Sequence, residues 1–98
     1  LGRGHTDGDI VITVDDVTFA GDLVEEGAPP YFGDGFPRDW AGTLRTMAEG
    51  IAGVVVPGHG DVVDRQFVLA QADEIEAAVE GRPTSFPEAT LADIRRRL

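Results

Sequence analysis

The chain contains two histidines, and both stand in glycine-flanked turns. His5 lies in Gly2-Arg3-Gly4-His5-Thr6-Asp7-Gly8-Asp9, just before a β-rich run. His59 lies in Pro57-Gly58-His59-Gly60, just after a short apolar run. Asp22, in Gly21-Asp22, ends a second β-rich run. Glycine beside a ligand lets the backbone bend sharply and leaves room for an ion. Ligands in α/β proteins gather where strands end and loops begin. Imidazole and carboxylate together suit zinc or iron better than calcium or magnesium. Taken singly, a histidine in a turn or an aspartate at a strand end is an ordinary hydrogen-bonding or capping residue. The three together are a candidate metal set.

The elements that must position these residues follow from local pattern. Ile10 to Val14 and Val17 to Ala20 are β-rich and flank Asp15-Asp16, which reads as a hairpin with Ile10, Ile12 and Val14 on one face. Residues 23 to 38 hold three Pro and three Gly, a density of breakers that predicts one long loop, and loops of that length are often functional. Asp39 is placed to cap a helix carrying Trp40, Leu44, Met47, Ala48 and Ile51 at helical spacing, with Gly50 at its C-terminal end. Val54-Val55-Val56 has the pattern of a strand covered on both faces. Asp64 is placed to cap a helix with Phe67, Val68, Gln71, Ile75, Ala78 and Val79 along one stripe, closed by Gly81 and Pro83. Ser85 to Glu88 matches a capping box before a last helix with Leu91, Ile94 and Leu98 on one side. The order predicted is β-hairpin, long loop, helix, strand, helix, helix: a mixed α/β (α+β) chain and a single domain over 1–98.

Composition removes several functions. The chain has 98 residues, 18 acidic against 8 basic and a formal charge of −10, which disfavours nucleic acid and anionic membranes as partners. With no Cys there is no disulfide framework, thiolate zinc cage or thiol nucleophile. No apolar run approaches the roughly 18–20 residues that would span a bilayer. No secretory signal is visible, and the chain opens on Leu1 rather than Met, so the expectation is a cytoplasmic protein whose true start lies upstream. Arg95-Arg96-Arg97 reads as a solvated helix end, where cations suit the helix dipole.

Gly4-His5-Thr6-Asp7-Gly8-Asp9, then Thr18-Phe19-Ala20-Gly21-Asp22-Leu23, then Val54-Val55-Val56-Pro57-Gly58-His59-Gly60 resemble three successive motifs of the metallo-β-lactamase superfamily, in order and in spacing. The resemblance covers roughly residues 1 to 80. It implies an αβ/βα sandwich with one or two metals, zinc or else iron, at the edge between its sheets. By that analogy His5 is the third His of the first metal site, and His59 belongs to the second. Asp22 is the bridging carboxylate and the catalytic residue. The implied nucleophile is a metal-bound hydroxide acting on an ester, thioester or amide-like bond of a small-molecule substrate. Asp at position 22 looks like the glyoxalase II-type hydrolases, and zinc β-lactamases with Cys there are disfavoured. Thr6 and Asp7 are candidates to orient His5, since a metal-bound His donates its other N–H. Tyr31, Phe32 and Phe36 are candidates to line a substrate pocket.

One departure is large. The family's first metal motif, His-x-His-x-Asp-His, is absent, so the chain resembles the C-terminal half of such a domain, without the N-terminal half that carries that motif. Two expectations follow for the chain alone. Each metal would have at most two protein ligands where a catalytic zinc keeps three, so the chain would be inactive and hold no metal tightly. A half-sandwich would also expose a sheet face, predicting a homodimer or pairing with the missing half. Two alternatives stay open: a non-haem iron oxidoreductase of the persulfide dioxygenase kind, and a non-catalytic, self-associating half-domain.

Overall fold

The computed structural model describes residues 2–98. Strand β1 (Ile12–Val14) turns through Asp15 and Asp16 into β2 (Val17–Glu25). Helix α1 (Pro37–Glu49) leads to β3 (Val54–His59), then α2 (Arg65–Val79) and α3 (Glu88–Arg96). The sheet has the order β1-β2-β3, with β1 antiparallel and β3 parallel to β2. The second half of the sheet is thus a β-α-β unit, in which α1 carries the chain back for a parallel return. Asp15 takes a positive φ of 52°, the left-handed conformation that a tight two-residue turn demands. An aspartate tolerates it better than most side chains.

The helices cover one face of the sheet. Thr18, Ala20 and Val55 point into a core built from Leu23, Val24, Phe32, Trp40, Leu44, Val68, Ala72, Ile75 and Ile94. The opposite face is apolar and open. Cross-strand pairing sets Ile12, Phe19 and Val56 in one row and Val14, Val17 and Val54 in the next. Of these six, Ile12, Val14, Phe19 and Val54 are exposed and Val17 and Val56 half-buried. The expectation that Val54–Val56 is covered on both faces therefore fails within this chain: Val55 alone is buried, because the helices lie on one side only. Among the described residues no helix is long and apolar enough to cross a membrane.

Other boundaries move for identifiable reasons. Strand β2 runs through Gly21 to Glu25, taking three residues from the expected loop, because Leu23 and Val24 are drawn into the core and Glu25 pairs with His59. Helix α1 starts at Pro37, whose fixed φ suits a first helical turn. Asp39 is consequently inside the helix, where its carboxylate takes a hydrogen bond from Arg3 rather than capping. Asp64 caps α2 as expected, accepting from the Phe67 N–H, and Gly81 follows the helix at φ 75°. The Ser85–Glu88 capping box does not form. Pro87 occupies the N-cap, the Ser85 N–H goes to Glu74 of α2, and Glu88 turns to Arg95.

Candidate metal centre

The site lies where β2 and β3 end together and the 2–9 segment crosses them. Strand β2 loses its regular register on either side of Gly21, which pairs with Pro57 at a positive φ of 55°. Such an irregularity re-aims the residues that follow it. Downstream, Gln71 of α2 stitches the strand in place. Its amide nitrogen donates to the Leu23 carbonyl at 2.8 Å, and its amide oxygen accepts the Glu25 N–H at 3.1 Å. The Trp40 indole N–H donates to the same Leu23 carbonyl at 3.1 Å. Two helices thus fix the backbone from Leu23 to Glu25, and with it the carboxylates of Asp22 and Glu25.

The strand ends approach so closely that side chains would collide. A Cβ on Gly58 would lie 2.0 Å from an Asp22 carboxylate oxygen and 2.9 Å from the Gly21 carbonyl carbon. Glycine there leaves the space that the Asp22 carboxylate fills. Beyond His59, whose carbonyl accepts the Glu26 N–H at 3.1 Å, Gly60 turns with φ 93°. Gly4 does the same service for the other histidine. A Cβ there would meet Leu23 at 2.5 Å and the Trp40 ring at 3.2 Å. His5 stands edge-on to Trp40, with ring centroids 5.9 Å apart, and its Nδ1 lies 3.2 Å from the Tyr31 carbonyl.

The three expected ligands converge on Asp22. One of its oxygens lies 3.5 Å from His5 Nε2, the other 3.3 Å from His59 Nδ1. They border a shallow pocket of about 340 Å³ with Glu25, Pro29 and Tyr31. Asp22 is therefore set between two imidazoles, one oxygen toward each. The His5 carbonyl-side contact through Nδ1 leaves Nε2 for the pocket.

Sequence reasoning missed Glu25. Its Oε2 is 2.9 Å from His59 Nδ1, closer than Asp22, and its side chain is only 7% exposed against 75% for His59. Burial, reinforced by the Asp22 carboxylate and opposed by His59, pushes the Glu25 carboxyl from 4.5 up to about 7. Asp22, Glu25 and His59 offer donor atoms that all lie within 4.8 Å of one another. The one signal available was a carboxylate three residues after Asp22, which regular strand alternation would place on the opposite face.

The remaining candidates separate. Among the described residues, neither Thr6 nor Asp7 hydrogen-bonds to His5. The Thr6 N–H and hydroxyl both donate to Asp9, which organises the turn, and the His5 partner is the Tyr31 carbonyl. Asp7 is exposed. Of the three loop aromatics, Tyr31 borders the pocket. Phe32 is buried against Trp40 and Phe86, and Phe36 lies under the Arg3 and Arg97 guanidinium groups.

Oxygen and nitrogen donors gathered at these strand ends fit a divalent transition-metal ion: imidazole suits zinc and iron, and carboxylates complete such sets. The three-stranded sheet with its three helices matches part of a metallo-β-lactamase fold. No protein-family model and no curated protein matches the chain. Solved structures do. The chain is similar to VMB-1 with a TM-score of 0.71 and 27% identity over 79% of this chain and 38% of that one. For the DIM-1 metallo-β-lactamase the TM-score is 0.70 and the identity 24%, covering 79% and 39%. For a metallo-β-lactamase from Pontibacter korlensis they are 0.66 and 26%, covering 74% and 38%. The chain spans about two-fifths of the length of each of these proteins. These likenesses support the metallo-β-lactamase superfamily for this chain, in agreement with the three motifs.

Proposed function

We propose that this chain is the C-terminal part of a metal-dependent hydrolase, with His5, Asp22 and His59 as metal ligands, zinc as the metal, and an ester, thioester or amide-like bond of a small molecule as the target. The observation that carries the reading is the placement of Asp22 between two imidazoles, one carboxylate oxygen facing each. A carboxylate so placed holds two cations side by side, or orients two ligand sets around one. Zinc bound there supplies one thing, the acidification of water, so that a nucleophile is present near neutral pH.

The chain's own residues do the rest. The Tyr31 carbonyl accepts a hydrogen bond from His5 Nδ1–H, fixing the tautomer that presents Nε2 to the pocket. Trp40 limits rotation of that ring. Tyr31 and Pro29 form an apolar wall on one side of the pocket, where a substrate can be held against the ligands. A larger, mostly apolar groove of about 400 Å³ adjoins it, sharing Glu25 and Pro29 and continuing to Phe67 and Phe86, and suits the acyl part of a substrate.

The reading draws the remaining ligands from residues outside these 98, because a catalytic zinc keeps three protein ligands and His5, Asp22 and His59 cannot supply three to each of two ions. The open sheet face supports it independently: six apolar residues in two cross-strand rows are what the inner face of a two-sheet sandwich presents. The test is hydrolysis by the full-length protein containing this chain, on a panel of thioesters, lactones and β-lactams, with and without chelator. Chelator-sensitive turnover abolished by Asp22→Asn is expected. No metal-dependent hydrolysis across the panel would sink the assignment, and bound iron with oxygen consumption would replace it with an oxidoreductase.

A further inference from the structure

We propose that Glu25 joins Asp22 and His59 in a three-donor cation site contained within this chain, so that a single zinc-type ion is held here without His5. The inference rests on the reading of this region as a metal centre and adds a ligand to it.

The first argument is electrostatic. Buried charges in proteins are paired or coordinate metals. The Glu25 side chain is 7% exposed, and no Arg comes within ion-pair distance of it among the described residues. What faces it is one imidazole, and that imidazole is shared with a second carboxylate, Asp22, at 3.3 Å. Two carboxylates opposite one histidine leave the buried Glu25 carboxyl without a cationic partner of its own. A divalent cation between the three groups removes the deficit.

The second argument is geometric. Zinc binds nitrogen and oxygen at about 2.0–2.2 Å in a tetrahedral array, so its donors stand about 3.4 Å apart. Asp22, Glu25 and His59 already offer donors no more than 4.8 Å apart, and small side-chain rotations close the difference. Residues three apart in a regular strand point to opposite faces. Asp22 and Glu25 nevertheless meet, because the β2 register shifts between Gly21 and Glu25. Gly58 leaves the Asp22 carboxylate its space, and Gln71 holds the Glu25 backbone. His5 faces the other oxygen of Asp22 and stands outside the group. Counting ligands in the sequence gives two per metal at most. The fold gives three for this one.

Calorimetric titration of the 98-residue chain with zinc chloride at neutral pH is the test, with cobalt(II) absorption as a second readout of donor geometry. One saturable site per chain is expected. Glu25→Gln, which keeps the side-chain shape, and His59→Ala, at an exposed position, should each weaken it by about tenfold or more, and His5→Ala by less than about twofold. Metal-free Glu25→Gln should fold at least as stably as the native chain, which separates lost ligation from lost structure. Two results would overturn the proposal: no saturable zinc site in the native chain, or Glu25→Gln binding zinc as tightly as the native chain. If Glu25→Gln is silent while His5→Ala and His59→Ala both lose zinc, Glu25 is no ligand and the His5–Asp22–His59 reading stands. The hydrolase assignment is decided separately, by turnover of the full-length protein.

Discussion

Replacing Gln71 with Leu tests whether α2 holds the strand end that carries the carboxylates. The Gln71 amide makes two buried bonds to β2, and they are not equivalent. The Leu23 carbonyl keeps a donor when Gln71 is lost, because Trp40 Nε1–H also reaches it at 3.1 Å. The Glu25 N–H donates to the Gln71 amide oxygen, so Gln71→Leu takes this acceptor away in a buried position. An orphaned buried donor costs about 1–3 kcal/mol, and a hydrogen bond whose partner is re-satisfied about 0.5–1.5 kcal/mol. The leucine recovers about 1 kcal/mol by burying apolar surface. The net expectation is about 2 kcal/mol of lost stability, or about 8–16 °C in Tm for a domain of this size. Urea unfolding followed by the fluorescence of Trp40, the sole tryptophan, reads it directly. The zinc titration should weaken in parallel, because the Glu25 carboxylate hangs from the freed backbone. A loss below about 0.5 kcal/mol, the range of an inert surface change, would refute the claim that Gln71 fixes this segment.

Three further outcomes follow from the same structure. Gly58→Ala puts a methyl 2.0 Å from an Asp22 oxygen and 2.9 Å from backbone, so it should displace that carboxylate, weaken zinc binding by about tenfold or more, and cost about 1–3 kcal/mol of stability in the same titration and urea assays. Hydrogen bonds from the Thr84 hydroxyl and the Ser85 N–H hold the Glu74 carboxyl below its ordinary value of 4.5. Its contribution is therefore present above pH 4.5 and lost as the pH falls through the depressed value, so Glu74→Gln should cost about 1 kcal/mol at pH 7 and progressively less on acidification, measured by thermal melts across pH. Phe19→Lys, at the centre of the open apolar face, should convert a self-associating chain to a monomer in sedimentation velocity; a native chain that is already a monomer at micromolar concentration would exclude that face as a self-association surface.

The features legible in the sequence are those written locally. The Asp64 cap with Gly81 beyond the helix end and the turn at Asp15-Asp16 are each set by a few neighbouring residues, and each stands where local pattern puts it. His5, Asp22 and His59 were legible as a set because glycine-flanked turns at strand ends repeat a known motif order, and the fold brings them to one pocket. Three misreadings share a cause: a distant residue competed for a local one. Asp39 faces Arg3, 36 residues away, instead of capping. Ser85 is claimed by Glu74 and not by Glu88. The expected loop gives up Leu23, Val24 and Glu25 to the sheet, because Trp40 and Gln71 hold their backbone. Glu25 was illegible for a further reason. Its position beside Asp22 depends on a break in strand register, and period-two reasoning assumes that no such break exists.

Strand β2 carries both features that remain unfinished in this chain, and their spacing is informative. Phe19, on the open apolar face, precedes Asp22 by three residues, about 10 Å along a strand. At Gly21 the register shift ends the regular part of that face and turns the strand toward the metal centre. A layer packed over Ile12, Phe19 and Val56 would lie beside the strand end that carries Asp22. His59 faces the other oxygen of Asp22, and Glu25, held from α2 through Gln71, pairs with His59. On the proposed reading, residues outside these 98 cover the apolar rows and supply further ligands beside His5, and the Glu25 side needs nothing added to hold an ion. The site would then fill in two stages of unequal dependence on the rest of the protein.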